Sequence, residues 1–526
     1  MGSDAIIGDW KEGHLRIGSE PVVDGGSGSK SDDVELPDRT QGNRSDKGPG
    51  GRRFPRLGLD ALFHESRPSQ DLNEDGTVEF FKVYKRRWLG LIQLTLLNIV
   101  VSWDWLSFSP VVSSAAEFFN TTESSINWLS TAVLLTFVAV SPLVIYVLHW
   151  GPKPSIITSS VLILIGNWVR YGGSRASPPN FGVVMFGQIL IGLAQPFVLA
   201  APTRYSDLWF TNRGRVAATA LMSLANPFGA ALGQLIMPFW VYSASDVPNA
   251  VLYVAIILDC ALTWMSKATI CSVPSFFLPA KPPTPPAPSG ETTKLSIPAS
   301  ARILSRSPEF WMLFISYAVF VGFFNSISSL LPQMMEPYGF NDNDSGIAGA
   351  VLIVVGLVSA AITSPILDRT KSFILAIKVA VPITALCYLI FIWMPATRAI
   401  PGPYIVLAIL GAASFSLVPV ASELLVELTH PVSPEVTSTM AWSGGQLLGA
   451  IFIIVSDALK DGPDANPPYN MSRALIFQAV IALATMPIPL CLGLFGRGDK
   501  VRLRRVETDR DRLAAENAAA SGGAGA

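Results

Sequence analysis

The sequence predicts an all-α membrane protein whose twelve transmembrane helices divide into two six-helix halves. Three observations carry this expectation. Half of the 526 residues are hydrophobic and only 15% are charged, against about a quarter charged in soluble domains. About twelve apolar runs recur along the chain, each near the roughly 20 residues that a helix needs to cross the hydrocarbon. A proline-rich stretch, Pro279-Ala280-Lys281-Pro282-Pro283-Thr284-Pro285-Pro286, separates six runs from six.

In chain order, residues 1–84 are expected to form a cytoplasmic tail. Up to about Gly76 the tail is rich in Gly, Ser, Asp, Arg and Pro. It has too little apolar surface to fold and lacks the apolar core of a signal peptide, so the first crossing is expected to direct its own insertion. Glu79 to Tyr84 reads as a short amphipathic lead-in. Residues 85–278 hold the first half, with runs at about Trp88–Val112, Ser125–His149, Ser155–Tyr171, Gly182–Ala201, Arg215–Trp240 and Asn249–Phe277. Residues 279–306 form a linker, extended because so many prolines exclude a helix. Residues 307–496 hold the second half, at about Pro308–Met334, Gly346–Leu367, Phe373–Met394, Pro403–Thr429, Pro434–Leu459 and Ser472–Leu494. Residues 497–526 are a polar carboxyl-terminal tail.

Basic residues set the expected orientation. Lys82, Lys85, Arg86 and Arg87 flank the first crossing. Lys281, Lys294, Arg302 and Arg306 lie in the linker, and Arg497, Lys500, Arg502, Arg504 and Arg505 follow the last crossing. An even number of crossings puts all three groups on one side, which is then cytoplasmic. Arg170 and Arg175 fall in a loop that this topology puts outside. The sequons at Asn120, Asn343 and Asn470 also fall in outer loops, as glycosylation requires; Asn43 lies in the cytoplasmic tail. Cys260, Cys271, Cys387 and Cys491 sit inside or at the ends of apolar runs and read as buried small hydrophobes, without disulfide or metal use. The net charge of −1 gives no basic excess for nucleic acid, and no cofactor motif is present.

Polar groups inside apolar runs need a reason, since each costs about 2.5 kcal/mol or more in the membrane. Asp104 lies sixteen residues past Trp88, about 24 Å along the first helix. There it either faces a cavity, to attract a cation or carry a proton, or bonds a neighbouring helix or a backbone freed near Pro110. Trp105 and Phe108 are three apart and share a helical face. A Trp face lining a cavity can hold an ammonium group by cation–π attraction; Trp103 points elsewhere and suits lipid anchoring. Gln195 precedes Pro196, which kinks the fourth helix. Small residues in Asn226-Pro227-Phe228-Gly229-Ala230-Ala231-Leu232-Gly233 allow close helix approach. Asn325 and Gln446 sit mid-run in the seventh and eleventh helices and suit cavity lining. Asp259 is a candidate proton site near mid-membrane. Glu423 and Glu427, one turn apart, are candidate gating partners for Arg204. Asp368 and Lys371 form a charged loop between the eighth and ninth crossings.

The six–linker–six layout resembles that of the major facilitator superfamily, with two halves around a midplane site. Within it, ordered pieces of the chain resemble the feline leukaemia virus subgroup C receptor-related transporters, solute carrier family 49. They are Tyr84-Lys85-Arg86-Arg87-Trp88, Asn127-Trp128-Leu129-Ser130, Ala194-Gln195, Pro202 with Trp209-Phe210, Asn226, Gly229, Gly233 and Pro238. Leu330-Leu331-Pro332-Gln333-Met334 and Leu367-Asp368 with Thr370-Lys371 follow. The most specific piece runs from Glu423 through Glu427, Pro431 and Glu435 to Ser438 and Gln446. The resemblance implies a choline or ethanolamine transporter, with haem export also proposed for the family. Trp105 matches the tryptophan against which the ammonium sits, Gln195 and Gln446 match its glutamines, and Asn325 replaces an aromatic partner. Pro110 and Ala201-Pro202 also resemble a pyridoxine-linked branch.

The expectation is therefore a transporter, not an enzyme, moving a small organic cation by alternating access without ion coupling. Trp105, Asp104, Gln195, Asn325, Gln446 and Phe108 would bind the substrate, with Asp104 supplying charge. Asp259, Glu423, Glu427, Asp368, Lys371 and Arg204 would gate or couple. Proton-coupled export and a non-transporting receptor are the rival expectations. The chain is expected to be a monomer, with the bilayer and a small solute as partners, in the plasma membrane or an endomembrane.

Overall fold

In the computed structural model of the chain, residues 69–72, 78–81, 84–210, 212–260, 279, 281–282, 297–370, 372–429, 432 and 434–492 are described. A two-stranded antiparallel hairpin, β1 (Ser69–Leu72) and β2 (Val78–Phe81), precedes the membrane segments.

The first half contains α1 (Arg87–Trp105), a short α2 (Val112–Phe118), α3 (Glu123–Trp150), α4 (Pro152–Arg175), α5 (Phe181–Leu199), α6 (Ala201–Trp209), α7 (Asn212–Trp240) and α8 (Val247–Cys260). The second half follows α9 (Ile297–Ser305). It contains α10 (Pro308–Met335), α11 (Asp342–Thr370), α12 (Phe373–Phe391), α13 (Pro401–Thr429), α14 (Pro434–Ala458), α15 (Ser472–Thr485) and α16 (Pro487–Leu490). Ten of these segments are long and apolar enough to cross a membrane. Among the described residues, α4 and α8 lie where the third and sixth crossings are expected.

Local chemistry sets the boundaries. Thr122 caps α3 by accepting from the Ser125 amide at 3.3 Å, and Asn180 caps α5 by accepting from Val183 at 3.1 Å; both satisfy an orphan donor of the first turn. Proline at the first turn opens α4, α6 and α10, where its missing amide costs nothing. The linker is not extended throughout: Ile297–Ser305 is helical, because the prolines thin out after Pro286 and Pro298 sits where a helix start tolerates it.

Within the first half, α1 packs on α7 and α4 on α5; in the second, α11 packs on α13 and α10 on α14. Each half has its own buried apolar cluster. Two glycines permit the closest crossings. A Cβ on Gly229 would stand 2.1 Å from the Ile99 carbonyl oxygen, and one on Gly411 would stand 1.9 Å from that of Leu352. Only a missing side chain lets α1 meet α7, and α11 meet α13, so tightly. The halves meet through α3 against α14 and α7 against α11.

Candidate functional site

The site begins where α1 stops. The first run is not one helix to Val112: α1 ends at Trp105, and the chain turns through Leu106–Phe108. It then passes a 3-10 turn at Ser109–Val111 and resumes as α2. Pro110 has no amide to donate, which weakens a helix here, and the helix stops before it, whereas α5 runs on through Pro196. The Ser107 hydroxyl donates to the freed Asp104 carbonyl at 2.9 Å, and Gln188 Nε2 donates to the same oxygen at 3.2 Å. Trp105 thus stands at a break midway along the 32-residue segment Arg87–Phe118.

The break separates Trp105 from Phe108. Trp105 and Leu106 join the buried cluster of the second half, together with Phe323 and Ile327 of α10, whereas Phe108 stays in the cluster of the first half. The shared face expected from their spacing fails because helical geometry ends between them. Trp103 is not a lipid anchor either: it is buried and stacks on Trp240, with ring centroids 5.9 Å apart.

Asp104 is not a free charge. Its Oδ1 pairs with Arg170 NH1 at 3.1 Å and its Oδ2 accepts from Asn167 Nδ2 at 2.9 Å, with both charged side chains at 0% exposure. Arg170 also donates to the Ser107 hydroxyl, and its guanidinium lies 5.1 Å from the Phe108 ring centroid. Arg170 therefore belongs not to an outer loop but to the last two turns of α4, where it is wholly enclosed. Gly187 of α5 makes the space, since a Cβ there would meet Arg170 Cγ at 2.7 Å. Asp104 and Phe108 thus leave the substrate-facing set and become the scaffold that holds Trp105. Asn167, Arg170 and Gln188 are the residues that sequence reading missed; a buried aspartate demanding a cation was the available signal.

The four remaining expected residues, Trp105, Gln195, Asn325 and Gln446, are all buried. Asn325 Nδ2 donates to Gln446 Oε1 at 2.9 Å, joining α10 to α14, with both residues buried. Gln195, in α5 beside Pro196, is 2% exposed, and its Oε1 has no hydrogen-bond partner among the described residues. The indole Nε1 of Trp105 is buried in the same state. Buried orphan donors and acceptors are rare in folded proteins and ask for a ligand or water. Trp105 Nε1 and Gln195 Oε1 are two of several such atoms among the described residues, with Trp103 Nε1, Trp209 Nε1 and Gln234 Oε1 among the others.

The other expected positions are scattered. Glu427 is buried near the end of α13 and Arg204 is half-buried on α6. The side chains of Asp259, Asp368 and Glu423, and all of Lys371, lie outside the described residues. Of the sequons, Asn120 is exposed in the turn after α2. Asn343 sits half-buried in the first turn of α11 with a buried Oδ1. Asn470 is 5% exposed and its Nδ2 donates to the Pro467 carbonyl at 2.8 Å. That enclosure leaves no room for a glycan, so Asn470 is not an acceptor in this fold.

At the end of the bundle where α1–α2 stops, polar groups latch the halves together. Asn127 of α3 and Gln333 of α10 exchange two bonds, at 2.7 and 3.3 Å, and Asn127 also donates to Asp457 at 2.8 Å. Lys460 pairs with Glu123 at 2.5 Å, and Ser113 donates to Glu336 at 3.0 Å. The Gln234 amide of α7 reaches the Ser328 carbonyl of α10.

Comparison with known proteins agrees with the architecture. Residues 94–454 match the family model of the Major Facilitator Superfamily. Solute carrier family 49 member A3 of Danio rerio is 30% identical over 446 residues, 83% of this chain and 90% of that protein. The choline/ethanolamine transporter flvcr2a of the same organism is 25% identical, covering 74% of this chain and 83% of its own. Among solved structures, a D-xylose-proton symporter superposes with a TM-score of 0.56 at 15% identity, covering 76% of this chain and 97% of its own. That likeness bears on the fold alone. The family-model match over residues 94–454 and the 30% identity over 83% of the chain, on a helical fold of the same kind, place the chain in the major facilitator superfamily and, within it, in solute carrier family 49.

Proposed function

We propose that the chain carries a small organic cation of the choline or ethanolamine class across the membrane by alternating access. The carrying observation is the buried Trp105 indole at the break of α1, with its Nε1 and the Gln195 Oε1 both unpartnered. The Asn325–Gln446 pair would close the site from the second half. A Trp face attracts an ammonium group, and the two amides offer carbonyl oxygens to an amine or a hydroxyl. The named choline/ethanolamine transporters among the relatives support this class. Movement is facilitative in this reading, because the one carboxylate beside the site, Asp104, is already neutralised by Arg170. Both termini are cytoplasmic and the latched end faces outward, with Asn120 exposed on that side as the glycan acceptor. The molecule is then closed to the outside.

A second reading has its own observation. With Asp104 committed to Arg170 and asparagine at position 325, the site holds hydrogen-bonding groups and no free charge. That suits a neutral polar solute of the pyridoxine type. Uptake into proteoliposomes separates the two. Labelled choline should enter saturably, at a rate unchanged by an imposed pH gradient, and Trp105→Ala should raise the apparent KM roughly tenfold. Pyridoxine uptake without choline uptake would favour the second reading. Absence of flux with either would overturn both and leave a receptor.

A further inference from the structure

Outside the central site, a crevice of about 170 Å³ opens between α3 and α14 near the latched end, lined by Ser124, Asn127, Trp128 and Thr131 on one side and by Ile454 and Asp457 on the other. We infer that this crevice is a second ligand site, and that it takes an organic ammonium group. Trp128 is 47% exposed and Ile454 is 39% exposed, so the mouth faces sideways out of the bundle. The Trp105, Gln195, Asn325 and Gln446 side chains are all buried elsewhere.

The lining chemistry selects the ligand. Asp457 accepts from Asn127 at 2.8 Å and from Ser124 at 2.5 Å. A carboxylate offers about four acceptor positions, so capacity remains for a cation. An indole face in the same small wall adds cation–π attraction. The isoleucine and the Thr131 methyl give contact for methylene or methyl groups. An anion is disfavoured by the carboxylate, and Lys460, three residues along from Asp457, is already paired with Glu123. The volume lies below the roughly 300–1,000 Å³ of sites for drug-sized ligands, but suits one head group. An ammonium bound here would draw on the carboxylate that helps latch α3 to α14, so its occupancy would bear on how readily the halves part.

The ammonium has two possible sources, a phospholipid head group and a free amine. The inference rests on the crevice alone and not on the transport reading. Photo-crosslinking of the full chain in nanodiscs tests it, with a photoactivatable phosphatidylethanolamine in one arm and a photoactivatable choline analogue in the other. Labelled peptides are mapped by mass spectrometry. Labelling is expected within residues 124–131 or 453–458, falling about fivefold or more in Trp128→Ala and in Asp457→Asn, and unchanged in Trp105→Ala. Labelling in the lipid arm alone identifies a head group; labelling in the free-amine arm alone identifies a solute. The inference is overturned if neither probe labels these segments, if both variants retain full labelling, or if a phosphatidylglycerol probe labels equally well.

Discussion

Removing Arg170 should damage the protein more than removing Arg170 and Asp104 together. The pair is fully enclosed, with 3.1 Å between NH1 and Oδ1. At an effective dielectric constant of about 20, that separation corresponds to a gross attraction of about 5 kcal/mol. In Arg170→Leu the Asp104 carboxylate loses the Arg170 guanidinium, keeps the Asn167 amide at 2.9 Å and stays buried. Breaking a buried pair in this way costs about 3–5 kcal/mol, whereas replacing both partners by apolar residues of similar volume is neutral or stabilising. For a half of about 200 residues, each kcal/mol moves the melting temperature by about 2–4 °C, which gives a fall of roughly 6–20 °C for the single variant. Asp104→Leu should be milder, because Arg170 keeps Ser107, Asn167 and the Phe108 ring. Fluorescence-detected unfolding of the purified proteins in detergent reads all three. A single variant melting within about 2 °C of the parent, or a double variant no better than Arg170→Leu, would refute the argument.

Gly229→Leu should reduce the yield of monodisperse protein, because its Cβ would meet the Ile99 carbonyl at 2.1 Å and push α1 from α7 at a cost of about 1–3 kcal/mol. Gly172→Ala, with open space at its Cβ, is the matched control and should leave yield unchanged. Asn127→Ala should loosen the latch, since it removes bonds to Gln333 and Asp457 worth about 0.5–1.5 kcal/mol each. Hydrogen–deuterium exchange over residues 124–130 and 333–336 should rise roughly tenfold, and an unchanged exchange rate would place the latch elsewhere.

The second half was the more legible in sequence. The runs expected at about Pro308–Met334 and Pro434–Leu459 became α10 (Pro308–Met335) and α14 (Pro434–Ala458), because proline marks each start and the apolar runs are unbroken. The first half resisted where tertiary demands overrode local pattern. The first run ends in a polar stretch that carries Asp104 and Pro110, but that the helix stops at Trp105 shows only in the geometry around Pro110. Arg170 looked like a loop charge because charge alone says nothing about a partner 66 residues away in Asp104. Of the site, Asn325 and Gln446 were readable as mid-helix amides, and they do meet. Phe108 was not readable, since a three-residue spacing implies a shared face only while the helix lasts.

The Asp104–Arg170 pair also bears on how the chain enters the membrane. The crossing that carries Arg170 is absent from the ten helices apolar enough to partition by hydropathy alone, and an ionised arginine within it adds to the cost of its insertion. Asp104, on a crossing made two helices earlier, supplies the missing counter-charge. Insertion of α4 is therefore expected to depend on α1 already being in place, so that synthesis order becomes part of assembly. In a chain truncated after α4, Asp104→Leu should leave that helix outside the bilayer more often than the native truncation does, as a glycosylation reporter fused beyond it would read.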